Sequence, residues 1–203
     1  MSVKEKKNSL ELAFGLSLAV IAALLAINEL FASKYGSTEL KTTNERSQSY
    51  QWYQAKSIKK NLLESHRETL QSFLDYGVID ISKTRALIEN IENLNRQIQK
   101  YSKEQREILV GSKKVGKENW SQAINGRLGQ VIGALELEEE LTKLQYVLNQ
   151  FDHATLFLQL ALLIGAIGIV IRKYYFKLTS LTLTIILGLC GTAFHVIGFQ
   201  ALN

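Results

Sequence analysis

The pattern of apolar and polar positions divides the chain into three apolar runs and one long polar stretch. Leu12 to Ile27 carries no charge and is interrupted only by Gly15 and Ser17. Thr155 to Ile171 has Gln159 as its one strongly polar side chain, and Leu178 to Phe199 has His195 in that place. A helix needs ~20 mostly apolar residues to cross a bilayer, and lipid leaves a single chain no other solution for its backbone polar groups. The pattern therefore predicts an all-α integral membrane protein with three transmembrane helices. The polar stretch between the first and second spans predicts an extramembrane antiparallel helical hairpin with coiled-coil character.

Within that stretch no proline occurs and strand-like alternation is absent. From Thr43 to Tyr76 a helical period places Ala55, Ile58, Leu62, Leu70, Phe73 and Tyr76 on one side, with Gly77 as a stop. A second helix is expected to start near Asp80 or Ser82. Its Leu87, Ile91, Leu94, Ile98, Tyr101, Gln105 and Ile108 alternate by four and three, the spacing of a coiled-coil seam. A third seam, Leu137, Leu141, Leu144, Leu148, Phe151, Thr155 and Leu158, runs straight into the second span. The expected boundaries are a basic N-terminus over 1–9, a first span over 10–33, the helical segment over 34–153, a second span over 154–172, a basic turn over 173–177, a third span over 178–200 and a tail over 201–203.

Path closure adds a constraint. The segment leaves and re-enters the same membrane face, so outward and inward travel must cancel at 1.5 Å per helical residue. If a third helix began at Glu118 it would have to start far from the membrane, and Gly111 to Lys117 is too short to climb there. A reversal is thus expected between Gly111 and Leu135. Asn125-Gly126, Gly129 and Gly133 are the available breakers. The expected form is a short outward helix from Glu118 to Ile124, or as far as Ile132, followed by a separate descending helix.

Charge sets the expected orientation. Six of the 24 basic residues, Lys4, Lys6, Lys7, Arg172, Lys173 and Lys177, flank the spans in two short clusters. Three crossings put both clusters on one side, and short basic flanks favour the cytoplasm; Lys34, Lys41 and Arg46 on the opposite flank act against that bias. The expectation is a multi-pass protein of the cell (inner) membrane, N-terminus cytoplasmic and residues 34–153 extracytoplasmic. The first apolar run exceeds a typical signal-peptide core and lacks a small-x-small site, so a retained anchor is expected. The net charge of +5 comes largely from these flanks and implies no nucleic-acid partner. Cys190 is the only cysteine, which excludes an intrachain disulfide and a thiolate zinc site.

The run Tyr50-Gln51-Trp52-Tyr53-Gln54-Ala55-Lys56-Ser57-Ile58-Lys59 resembles the signature of an uncharacterised bacterial membrane family, domain of unknown function 4337. Tyr101-Ser102-Lys103-Glu104, Phe151-Asp152 before the second span, and Arg172-Lys173 in the turn are similar to further family stretches. The resemblance implies one N-terminal span, a helical segment and two C-terminal spans; the chain departs from the pattern between Gly111 and Gly133. No activity follows from it.

Candidate chemistry is sparse. His66, His153 and His195 are far apart, no metal-ligand spacing occurs, and the glycines lack the ending and the preceding strand of a phosphate loop. No catalytic, cofactor or metal residue is expected. Trp52, Tyr53, Gln54, Lys56 and Lys59 form a candidate partner surface, with Trp52, Lys56 and Lys59 sharing one helix face; aromatic packing between helices is the plainer alternative. Gly15, Ala19 and Ala23, Ala161 and Gly165, and Thr184, Gly188 and Thr192 recur every four residues, a spacing that lets helices approach closely. Gln159 and His195 are candidate membrane-embedded polar groups, His195 within about a turn of the interface. The expected function is a non-enzymatic, self-associating helical scaffold or partner-binding stalk whose partners are the bilayer, further copies of the chain and a protein docking on the outer helices. An oligomeric channel or membrane-perturbing effector is the alternative.

Overall fold

The computed structural model describes residues 3–77 and 81–202, with side chains from residue 10 and, after the first helix, from residue 83. The basic residues Lys4, Lys6 and Lys7 and the expected helix start at Asp80 or Ser82 lie outside the described side chains. Helix α1 (Val3–Asp75) carries the first span and the whole first polar stretch without a break. Helix α2 (Ile81–Val110) follows. Then come a single turn α3 (Ser112–Val115), a 3-10 turn (Lys117–Asn119) and a hairpin of β1 (Ala123–Ile124) with β2 (Arg127–Leu128). Helix α4 (Ala134–Val170) joins the third seam to the second span, and α5 (Tyr174–Gln200) is the third span. Among the described residues, α1, α4 and α5 are long and apolar enough to cross a membrane, their best windows having mean hydropathies of 2.4, 2.0 and 1.9. The chain divides into a hairpin unit, Lys41–Glu140, and a span unit formed by the remainder.

In the hairpin unit α1 packs against α2 as an antiparallel pair. Lys56 bonds Glu104 and Arg67 bonds Asn95, so one helix number rises as the other falls. The α2 seam is buried as its period requires: Leu87, Ile91, Leu94, Ile98, Gln105 and Ile108 all face inward. The α1 side differs from expectation. Ile58 and Leu62 are 69% and 70% exposed, and Phe73 and Tyr76 also face outward. The half-buried positions from Lys56 onward are Lys56, Ser57, Lys60, Leu63, Glu64, Arg67, Leu70 and Leu74. Rotation of α1 is set by the Lys56–Glu104 pair, whose side chains are 16% and 5% exposed. Long basic stems can cover apolar surface while their charged ends find partners, and here they displace the richer apolar stripe from the seam.

The expected outward helix from Glu118 to Ile124 is absent; the 3-10 turn and the β hairpin stand there instead. Asn125 and Gly126 both have positive φ, 50° and 76°, the pattern of the tight turns that match strand twist. Asn-Gly is the sequence signal for such a hairpin, and reading it only as a helix breaker missed that. The excursion also closes on itself. At Gly133 an added Cβ would meet the backbone of Val110 and Gly111, so α4 begins where α2 ends. From Lys41 to Asp75, α1 travels ~52 Å. The return, ~45 Å along α2 and ~10 Å along the first turns of α4, matches it. No climb is needed, because the third helix starts at Ala134 and not at Glu118.

A buried carboxylate organises the excursion. Glu107 is wholly buried and accepts from Ser112 Oγ at 2.7 Å and from the backbone N–H groups of Ser121 and Gln122 at 2.7 and 2.8 Å. Ser112 in turn pairs both ways with the Val131 backbone, and its carbonyl accepts from Trp120 Nε1. Glu136 reaches back to the N–H of Gly133 and caps α4.

Gly133→Ala places a methyl group against backbone that cannot swing aside, and overpacking of this kind costs ~1–3 kcal/mol. Gly126→Ala meets open space and carries only the left-handed penalty of ~1–2 kcal/mol. Unfolding followed by circular dichroism should rank Gly133→Ala as the more destabilised; the reverse order would contradict the close approach.

Candidate functional site

The span unit is built around small residues. A Cβ at Gly165 would meet Leu18 and Thr184, one at Gly188 would meet Ile21, and one at Gly191 would meet Leu158. Ala161 and Thr184 are wholly buried and Thr192 is half-buried. These positions join α1, α4 and α5 within one chain. Gly15, Ala19 and Ala23 do not take part: all three are exposed, and nothing lies within 4 Å of a Cβ at Gly15. Gln159 is exposed as well.

Polar contacts hold the three spans near both ends. Lys177, buried at the start of α5, bonds Glu11 of α1 at 3.1 Å. The α4–α5 turn, Ile171–Lys173, is shorter than the expected 173–177 because α5 begins at Tyr174. Toward the other end, Asn28 is wholly buried. Its Nδ2 donates to the Phe151 carbonyl at 2.9 Å and to Thr155 Oγ1 at 2.8 Å. Its Oδ1 lies 2.7 Å from His195 Nδ1. Since the amide nitrogen is already donating, the oxygen accepts, and the His195 proton sits on Nδ1. Phe31, Phe151 and Phe199 pack around this junction, the first two against the imidazole itself. His195 is thus half of an interhelical lock. Asn28, which makes three of its contacts, escaped the sequence reading. A lone amide at the edge of an apolar run is the signal that could have found it.

The candidate surface in the hairpin unit is split. Lys56 is engaged with Glu104 and lies over the Tyr101 ring. Gln54 and Lys59 are exposed, and Tyr53 is half-buried. Trp52 lines an open cleft of about 420 Å³ with Glu45, Ser49, Ile124, Val131 and Leu137. Tyr50, on the same run, donates from its hydroxyl to Glu138 at 3.0 Å. That bond, with lesser help from burial and the Glu138 charge, holds the phenol above its usual pKa against a small opposing pull from Arg46. Through Tyr50, Trp52 and Lys56 the run resembling a family signature joins α1 to α2, the excursion and α4, while Gln51, Gln54, Ala55, Ile58 and Lys59 stay exposed. Among the described residues no three His, Cys, Asp or Glu side chains gather to hold a metal ion.

A family model described as Domain of unknown function (DUF4337) matches residues 11–201. The chain belongs to that family. No curated protein and no solved structure matches it. In this DUF4337 protein the family match covers all three spans and both seams, including the excursion from Gly111 to Gly133.

Asn28→Ala leaves His195 and the Phe151 carbonyl without their partner. Interhelical hydrogen bonds in membranes contribute ~0.6–2 kcal/mol, so Asn28→Ala should lower stability in detergent by about that amount. Because Asn28 and His195 touch, the loss in Asn28→Leu with His195→Leu should fall short of the sum of the single losses. Strictly additive losses would show that the two side chains are not coupled.

Proposed function

We propose that this DUF4337 protein is a non-enzymatic, membrane-anchored helical scaffold that associates with itself through the stalk portion of α1. One observation carries the reading: Ile58, Leu62, Phe73 and Tyr76 stand exposed on one helix while its other face is committed to α2. Exposed apolar side chains of this kind, Ile58 with Leu62 and, beyond Ser65, Thr69 and Ser72, Phe73 with Tyr76, support an interaction face in a soluble segment. The unpartnered Gly15, Ala19 and Ala23 of the first span add a second face that allows close helix approach. A pore is less well supported, because the outward residues of the spans, such as Leu16, Val20, Ile186 and Leu189, are aliphatic.

We place the protein in the cell (inner) membrane with the N-terminus and the Arg172-Lys173 turn in the cytoplasm. The Lys177–Glu11 bond supports putting those two flanks at one end of the span unit. A cysteine replacing Lys114, in a Cys190→Ser background, should react with a membrane-impermeant maleimide in intact cells, and one replacing Lys173 should not. The opposite pattern would overturn the orientation.

Self-association is tested by particle mass. The detergent-extracted protein should weigh a multiple of 22.9 kDa after correction for detergent. Ile58→Glu with Leu62→Glu should reduce that multiple without changing helix content, since both side chains are exposed in the isolated chain. A wild-type particle of one copy would overturn self-association.

A further inference from the structure

The exposed stripe of α1 has a spacing that specifies what covers it. Ala55, Ile58, Leu62, Ser65, Thr69 and Ser72 recur by three and four, and Tyr76 continues the series. Every one of them is exposed. Such a series is the seam of a two-stranded coil; from Ala55 to Thr69 it is turned away from α2, and Ser72 sits at the rim of a cleft shared with Ile91 and Asn95. From the geometry of this seam we propose that its occupant is the same seam of a second copy, parallel and in register. The proposal rests on the self-association reading above and adds the partner's identity, direction and register.

The flanks of the seam argue for that direction. One flank carries Lys59, His66 and Phe73, the other Gln54, Asn61, Glu68 and Asp75, all exposed. In a parallel pair the second flank of one helix meets the first flank of its neighbour about five residues further on. Gln54 then faces Lys59 of the other copy, and Asn61 faces His66. Amide oxygens meet side chains that donate hydrogen bonds, and no like charges meet. An antiparallel pair brings each flank against its own kind, setting His66 against His66 and Glu68 against Glu68. Membrane anchoring favours the same choice, since copies inserted alike send α1 out of the bilayer on the same side. The strongly apolar part of the seam is short, centred on Ile58 and Leu62. Confinement of both copies to one membrane raises their effective concentration and offsets that weakness.

Ala55→Cys in a Cys190→Ser background, in the full-length protein in native membranes, tests the register. In the parallel pair the two substituted positions face each other within disulfide reach. Mild copper-phenanthroline oxidation should give a covalent dimer well above the yield from Arg96→Cys, an exposed site on α2. Adding Gln54→Glu, which creates a carboxylate opposite Lys59, should raise the yield roughly twofold to threefold, and Gln54→Lys should lower it similarly. Mere proximity of two stalks would leave these two variants equal. Ala55→Cys linking no better than Arg96→Cys, or linking preferentially to Tyr76→Cys in a mixture, would overturn the parallel register. If the wild-type particle still contained several copies, the scaffold reading would survive that result; a monomeric particle would remove both.

Discussion

The hairpin unit depends on one close approach, that of Gly133 to the peptide between Val110 and Gly111. It lets α4 start where α2 stops, so both helices run antiparallel to α1 with no residues spent on climbing back. Any side chain at 133 would push the start of α4 away from the end of α2. The 23 residues between α2 and α4 are then free to form a closed excursion held from within. Helix lengths in this unit follow from that closure, since outward travel along α1 has to equal the return along two shorter helices.

Polar side chains do the fixing in both units. Glu107 collects a serine hydroxyl and two backbone N–H groups, which turns an irregular stretch into a defined one. Buried backbone donors must be satisfied, and a carboxylate accepting several of them suits a loop without regular structure. In the span unit Asn28 and the Lys177–Glu11 pair do comparable work. Apolar packing between spans fixes rotation only loosely, because lipid is as apolar as leucine. A hydrogen bond between helices has one satisfactory geometry and so sets which faces meet.

Using polar contacts to set rotation has a consequence on α1. Lys56 and Arg67 face α2 because Glu104 and Asn95 are there to receive them. Leu70 apart, the aliphatic and aromatic residues that a hydrophobic-period argument assigns to the core are left outside. This conflict between local pattern and tertiary arrangement is itself informative, since such exceptions concentrate at functional positions.

The three spans, the helical character of the polar stretch, the seams of α2 and α4 and the joining of the third seam to the second span were all legible in the sequence. Each rests on periodicity and length, which are local properties. The family was legible in the Trp52 to Lys59 run and its companion stretches. The side of α1 that faces α2 was not legible, because that choice depends on Glu104 and Asn95, some 30 to 50 residues away along the chain. Nor was the partner of His195, which lies on a helix 167 residues earlier. The excursion was half legible: its glycines marked a break, but its form required knowing that α4 starts at Ala134. Sequence periodicity and composition determined which residues form helices and which helices are long and apolar enough to cross a membrane. Only the tertiary structure decided which face each helix buries, because that is settled by a few polar contacts whose two halves are distant in sequence.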